Sequence, residues 1–321
     1  MITRTLGRTL GHSTLKVSPI CFGGNVFGWT ADAAMSFRLL DAFTSAGCNF
    51  IDTADVYSKW VGGHQGGESE TLIGQWLKRR GGRDQVILAT KVGMEMPNVG
   101  AGLSRAHITR SIEASLRRLQ TDYVDLYQSH TDDAATPIEE TLDTYARLIK
   151  QGKVRFIGAS NFTAARLAES LGVARTHKLP AYVSLQPEYR LYKRAGYEME
   201  LEPLCRRENV GVIGYYSLAS GFLSGKYRPG STASGSPRAA TAASYLNPRG
   251  LRILDALDSV AAAHHTNPTR IALAWLMARP GVTAPIASAT SLAQLHDLIE
   301  ATRVVLHADE VNTLNLASIE S

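Results

Sequence analysis

Short runs of apolar, β-branched and aromatic residues recur along the chain, each followed by a stretch whose apolar positions repeat every three or four residues. The runs are V-S-P-I-C-F-G, C-N-F-I-D, V-I-L-A-T-K, Y-V-D-L-Y-Q-S-H, V-R-F-I-G-A-S, A-Y-V-S-L-Q, V-G-V-I-G-Y-Y and V-T-A-P-I-A-S, closing near Gly23, Asp52, Lys91, His130, Ser160, Gln186, Tyr216 and Ser288. Apolar runs of this length bounded by turn residues predict buried strands. Between them, 33–47, 104–119, 137–150 and 267–279 carry apolar residues at i, i+3 and i+4 and predict amphipathic helices. Ser104 and Asn267 stand as N-caps, Gly47 and Gly152 as stops. Eight strand-then-helix units predict an α/β fold, a (β/α)8 TIM barrel forming a single domain over 1–321. Residues 1–17 place a Gly-containing turn between two short extended runs, which predicts a β-hairpin ahead of the barrel.

The competing architecture, a doubly wound sheet with a dinucleotide fingerprint, fits poorly. G-G-N-V-F-G (23–28) has the wrong spacing for G-x-G-x-x-G, and V-G-G-H-Q-G-G-E-S-E (61–70) has neither that pattern nor a G-K-[ST]. Both read as loops after barrel strands. The segment 228–250 is rich in Gly, Ser, Ala and Pro and predicts a long loop after the seventh strand. Composition alone makes it a surface loop; its place on the C-terminal face of a barrel makes it a candidate lid, centred on 231–243.

With 321 residues, 44% hydrophobic and 20% charged, the chain has material for a large core, which excludes disorder as the default. The net charge of +5 arises from scattered Lys and Arg rather than a basic stripe interleaved with aromatics, so no nucleic-acid partner is expected. Cys21, Cys48 and Cys205 are odd in number and widely spaced, as expected of reduced thiols in a cytoplasmic protein. No run approaches the roughly 18 to 20 apolar residues of a membrane span, and the start lacks the apolar core of a signal peptide. A soluble protein is expected.

Asp52 closes an otherwise apolar strand, where a carboxylate must be paired, hydrogen-bonded or used. If strands two, three and four end at Asp52, Lys91 and His130, the three side chains share one mouth of the barrel, and Tyr57 on the next loop can join them. Singly, a strand-end Asp caps a loop, a Lys snorkels into water and a His is a bonded core residue. Four such residues at equivalent strand ends point to a site. No metal site is indicated.

Together with F-I-D-T-A-D-V-Y (50–57), G-E-S-E-T-L-I-G (67–74), A-T-K-V-G (89–93), D-L-Y-Q-S-H (125–130), G-K-V-R-F-I-G-A-S-N-F (152–162), Q-P-E-Y-R-L (186–191), L-S-G-K-Y (223–227) and Q-L (294–295), these residues resemble the aldo-keto reductase family, in its bacterial branch related to β subunits of voltage-gated potassium channels. The resemblance implies a barrel that binds extended NADPH without a Rossmann domain and reduces aldehydes or ketones, with Asp52, Tyr57, Lys91 and His130 as catalytic residues. Tyr57 would protonate the carbonyl oxygen as hydride arrives at carbon. Lys91 beside it favours the ionised phenol, Asp52 holds Lys91, and His130 aligns the substrate.

The resemblance further gives Gly24, Asn25 and Asp52 as cofactor-binding, and places Ser160, Asn161 and Gln186 on the nicotinamide carboxamide, Tyr216 stacked on the ring, and Ser217, Leu218, Ser220, Gly221 and Lys226 around the pyrophosphate. Here Y-Y-S-L-A-S-G departs from the family's Y-S-P-L by lacking the proline. At the adenosine end the chain has Ser288, Thr290 and Gln294 where many relatives carry Lys or Arg, so NADPH is expected with NADH left open. Trp29, Tyr57, Trp60 and His130 are the candidate substrate pocket for a small-molecule carbonyl. Two functions stand at this stage: a carbonyl reductase, or a nicotinamide-sensing binding subunit with slow turnover. A homo-oligomer and any protein partner are left open.

Overall fold

The computed structural model describes residues 7–230 and 237–320. Arg8–Thr9 (β1) and Lys16–Val17 (β2) form an antiparallel hairpin. Eight parallel strands follow: Cys21–Gly23 (β3), Phe50–Asp52 (β4), Ile87–Val92 (β5), Val124–Ser129 (β6), Val154–Ser160 (β7), Ser184–Gln186 (β8), Gly211–Val212 (β9) and Ile286–Ala287 (β10). Their order is β10-β3-β4-β5-β6-β7-β8-β9, and the ends meet: Thr283 N donates to Val212 O at 2.8 Å and Ile286 N to Gly214 O at 2.8 Å. The sheet therefore closes into the expected (β/α)8 barrel.

The helices are Ala33–Ser45 (α1), Glu68–Arg80 (α2), Arg105–Leu119 (α3), Ile138–Lys150 (α4), Ala164–His177 (α5), Ala195–Glu198 (α6), Leu201–Arg207 (α7), Ala239–Ala243 (α8), Pro248–Ala263 (α9), Pro268–Ala278 (α10), Leu292–Ala301 (α11) and Ala308–Ala317 (α12). Ser104 and Asn267 cap α3 and α10 through their side chains, as their positions predict. In α2 acidic residues occupy the first turn and Lys78, Arg79 and Arg80 the last, complementing the helix dipole. At Gly74 a Cβ would stand 2.1 Å from Arg118 O, so only glycine lets α2 and α3 approach this closely.

The hairpin plugs the N-terminal end of the barrel. Leu10, Leu15 and Val17 are buried with Phe50, Leu126 and Ile213 from the strands. Gly11, at φ +53, turns the hairpin so tightly that a Cβ would meet Val183 O at 2.1 Å. The opposite end is left for the loops.

Two expectations change. The seventh strand is shorter than its aromatic run suggests: Tyr215 makes one isolated bridge to Glu188, and Tyr216 turns left-handed at φ 58, which ends the ladder. The segment after it holds helix where a structureless loop was expected. Its alanines form α8, with Ala242 buried, because Ala has the highest helix propensity, and Asn247 with Pro248 starts α9. Residues 231–236 of the candidate lid lie outside the described residues.

Asp125 on β6 ties three strands that carry site residues. Its carboxylate is fully buried and accepts from Arg83 Nη2 at 2.8 Å, Arg155 Nη1 at 2.9 Å and Leu88 N at 2.9 Å. Both guanidinium groups lie 4.1 Å from the centroid of the Tyr123 ring. Asp125→Ala leaves Arg83 half-sequestered without its anion. It is expected to lower unfolding free energy by about 3 to 5 kcal/mol, read as a drop in the urea midpoint at unchanged m-value.

Candidate functional site

Four strand ends build the site. Asp52 ends β4, Lys91 lies in β5 one residue from its end, His130 follows β6, and Ser160 ends β7. Tyr57 arrives through a turn in which its N–H donates to Ala54 O at 3.2 Å. Ser58 Oγ donates to Phe27 O at 2.7 Å and Lys59 Nζ to Glu95 O at 2.6 Å, so the loop carrying Tyr57 is fastened to both neighbouring loops.

Lys91 Nζ is fully buried and has three acceptors: Asp52 Oδ2 at 2.6 Å, Thr53 O at 2.8 Å and Tyr57 OH at 2.8 Å. An ammonium has three hydrogens, so its donors are saturated. Asp52 Oδ1 accepts from Gln128 Nε2 at 2.9 Å and Gln186 Nε2 at 3.0 Å. Burial alone would lower the Lys91 pKa, but the charges and hydrogen bonds of Asp52 and Tyr57 outweigh it and raise it above the ordinary value.

Two opposing effects act on Tyr57. Burial pushes its pKa up to about 12, although Lys91 works in the opposite direction. The phenol thus keeps its proton throughout the neutral range. Since Lys91 can only donate, Tyr57 OH accepts from it, and the phenolic hydrogen is left for a further acceptor. His130, whose ring lies 6.0 Å from that of Tyr57, is held well below its usual pKa by burial, with Lys91 and Lys59 adding to the effect. It is neutral at neutral pH, and its Nδ1 is buried without a partner.

Trp29 and Trp60 meet edge-on at 5.6 Å, and Trp60 meets Tyr57 at 6.1 Å. Arg238, in the segment after the seventh strand, lies 5.2 Å from the Trp29 centroid.

On the other side of the mouth, Asn161 Nδ2 donates to His130 O at 2.8 Å and Asn161 Oδ1 accepts from Tyr215 OH at 2.8 Å. Ser160 Oγ donates to Gln186 O at 2.9 Å. Tyr216 presents its ring to solvent, 53% exposed. The backbone beyond it is left-handed at Ala219, Ser220 and Gly221, and the Lys226 ammonium lies beside Gly221, where a Cβ would be 3.5 Å from Nζ. Leu218 packs against the core, and the Ser217 hydroxyl donates to Ile286 O at 2.7 Å, which leaves Ser217 its backbone for any ligand. Ser288 Oγ donates to Asn25 Oδ1 at 2.6 Å beside Gly23, Gly24 lies against Asp52 O and Ser69, and Thr290 N donates to Gln294 Oε1 at 2.9 Å at the start of α11.

Gln128, Thr53 and Tyr215 join the site without having been singled out from the sequence. For Gln128 a signal existed: it stands two residues before His130 in D-L-Y-Q-S-H, on the same face of the pleat. Thr53 contributes a carbonyl, which no side-chain pattern reveals.

Residues 19–319 match the model of the aldo/keto reductase family, and the chain belongs to that family. It is 34% identical over 313 residues to the oxidoreductase YrpG of Bacillus subtilis, covering 95% of this chain and 94% of that one. It is 34% identical over 307 residues to a probable voltage-gated potassium channel subunit beta of Arabidopsis thaliana, covering 93% and 91%. To norsolorinic acid reductase of Aspergillus flavus it is 30% identical over 316 residues, covering 94% and 78%. The chain is thus an oxidoreductase of this family.

The buried ion pair generates a stability test. Lys91→Met leaves Asp52 charged and without a cation, at an expected cost of about 3 to 5 kcal/mol. Asp52→Asn added to it removes that charge and recovers most of the loss, measured as urea midpoints of the single and double variants. Equal midpoints would show that the Asp52 charge is not what Lys91 neutralises.

Proposed function

We propose that this protein reduces aldehydes or ketones to alcohols with NADPH. The observation that carries the reading is the Tyr57 hydroxyl, which keeps its proton, accepts from the buried Lys91 ammonium and so has its own hydrogen left to donate, beside the rings of Trp60 and His130. The proton donor is Tyr57 OH. Lys91, fixed by Asp52, stabilises the phenolate left after transfer, and neutral His130 donates a hydrogen bond to the same carbonyl oxygen. Asp52 stays paired throughout, so the proton gained by the carbonyl oxygen comes from Tyr57 and not from the Lys91–Asp52 pair.

The residues across the mouth suit a nicotinamide dinucleotide. Tyr216 offers a ring face for stacking, Asn161 Oδ1 and Gln186 Oε1 retain acceptor capacity for a carboxamide, and the left-handed turn with Lys226 suits a pyrophosphate. When bound, the reduced nicotinamide supplies hydride to the carbonyl carbon. Ser288, Thr290 and Gln294, with the N-terminus of α11, would hold the 2′-phosphate. The name of the Aspergillus relative, a reductase, supports the direction of the chemistry; the names of the channel-subunit relatives keep cofactor sensing as the other outcome of the test.

Tyr57→Phe is expected to lower kcat for carbonyl reduction by about 10² to 10⁴ while NADPH affinity stays within about twofold, measured by loss of NADPH absorbance over a panel of aldehydes and ketones and by fluorescence titration. Retained turnover would remove Tyr57 as donor. Tight NADPH binding by wild type without turnover of any carbonyl would favour the sensing subunit.

Neutral hydrogen bonds to a phosphate are about half as strong as charge-assisted ones, so discrimination between NADPH and NADH is expected to be modest. Thr290→Arg should tighten NADPH binding, with little effect on NADH, and the gain should shrink as salt rises. Binding isotherms at two ionic strengths check this. Equal gains for both cofactors would move the 2′-phosphate elsewhere.

A further inference from the structure

A second buried acid lies three residues after Asp52. Asp55 is 2% exposed, and its Oδ1 has no hydrogen-bond partner. The groups that face it are Glu70 on α2, Arg118 on α3 and Lys91 on β5, with the phenols Tyr127 on β6 and Tyr145 on α4. The cations are already engaged. Glu70 is fully buried; its Oε2 accepts from Arg118 Nε at 2.7 Å and its Oε1 from Thr90 Oγ1 at 2.5 Å. Lys91 has three other acceptors. Two buried carboxyls beside one guanidinium cannot both ionise cheaply, and the one without a hydrogen-bonded cation keeps its proton. Burial, then the charge of Glu70, pushes Asp55 up to about 8, against the weaker pull of Arg118, the Val56 N–H and Lys91.

Its position in the backbone links this acid to Tyr57. Asp55 and Val56 are the central residues of the turn closed by Tyr57 N and Ala54 O. Asp55 N donates to Lys91 O at 3.4 Å, and Asp55 O lies where a Cβ on Gly66 would be 3.0 Å away. Ala54, Val56 and Met96 form a small apolar cluster under the turn, with the Tyr57 ring packed on it. A charge here is shielded from bulk water, and the cations near it, Arg118 and Lys91, are hydrogen-bonded to other acceptors, so opening the turn is the way to solvate it.

We propose that Asp55 is a positioning residue that works as a neutral carboxylic acid: with its proton it keeps the 54–57 turn closed, and on losing it the turn opens and Tyr57 leaves Lys91. The consequence is an alkaline limit on reduction set by Asp55 rather than by Tyr57, whose own proton is held more tightly. The kinetic part rests on the reductase reading above; the conformational part does not.

The first measurement is kcat against pH, from about 6 to about 10. Wild type is expected to lose activity about tenfold per pH unit above a midpoint near 8. Asp55→Asn, an uncharged isostere, should lack that limb. Glu70→Gln removes the repelling charge and should move the limb to lower pH by about one unit or more.

The second needs no turnover. Trp60 touches the Tyr57 ring, so tryptophan fluorescence should titrate near pH 8 in wild type and not in Asp55→Asn or Trp60→Phe. The folded carboxyl also binds its proton more tightly than the unfolded one. Wild type should therefore lose stability relative to Asp55→Asn as pH rises from about 4 to about 8 and no further. An alkaline limb and fluorescence step unchanged in Asp55→Asn would overturn the proposal. A fluorescence step that obeys it in a protein reducing no carbonyl would defeat the reductase reading alone.

Discussion

The ammonium of Lys91 is the point on which the site depends. It is a charge with no exposure to water, in the interior of a barrel, and such a group persists only if its hydrogen bonds are complete and an anion lies against it. Asp52, Thr53 and Tyr57 take its three hydrogens, and Gln128 and Gln186 fill the far oxygen of Asp52. These residues come from β4, β5, β6 and β8 and the loop after β4. No two neighbouring strands could assemble this network; closure of the sheet does, because it brings the ends of distant strands to one mouth.

That arrangement also gives the network a direction. Because the lysine can only donate, the tyrosine that touches it must accept, and its phenolic hydrogen remains to be donated to another group. The fastening of the Tyr57 loop through Ser58 and Lys59 holds the phenol against two wells, the lysine below and the aromatic wall of Trp60 and Trp29 beside it. The hairpin at the other end matters for the same reason. Leu10, Leu15 and Val17 pack with Phe50, Ala89 and Leu126 to put an apolar layer at the base of the barrel, beneath these groups.

The architecture was legible because period and punctuation agree: alternating apolar runs and helical stripes, with Ser104 and Asn267 at helix starts and charged residues at strand ends. The meeting of Asp52, Tyr57, Lys91 and His130 followed from equivalent positions on successive strands. What stayed hidden belongs to the backbone or to the balance of opposing effects. Thr53 acts through its carbonyl. The left-handed turn at Tyr216 is invisible in an aromatic run that reads as strand, and the alanines of α8 are diluted by neighbouring Gly, Ser and Pro. The pull of Lys91 on the Tyr57 proton is apparent from position, whereas the larger opposing effect of burial appears only when the loop is packed.

Asp52 and Asp55 show how little residue type says about charge. They are three positions apart, both nearly inaccessible to water, and both near Lys91. Asp52 has the lysine at 2.6 Å and two amide donors on its other oxygen. Asp55 faces Glu70, which already holds the arginine between α2 and α3. That arginine is where it is because Gly74 lets the two helices approach, so the packing of a helix pair outside the barrel bears on the proton of an acid beside the site. A cation that was free at Arg118 would make Asp55 a second ionised carboxylate and pull on the lysine that Tyr57 needs. Keeping Glu70 as the arginine's partner keeps the charge on that side of β5 balanced without Lys91, and leaves Lys91 to Asp52 and Tyr57.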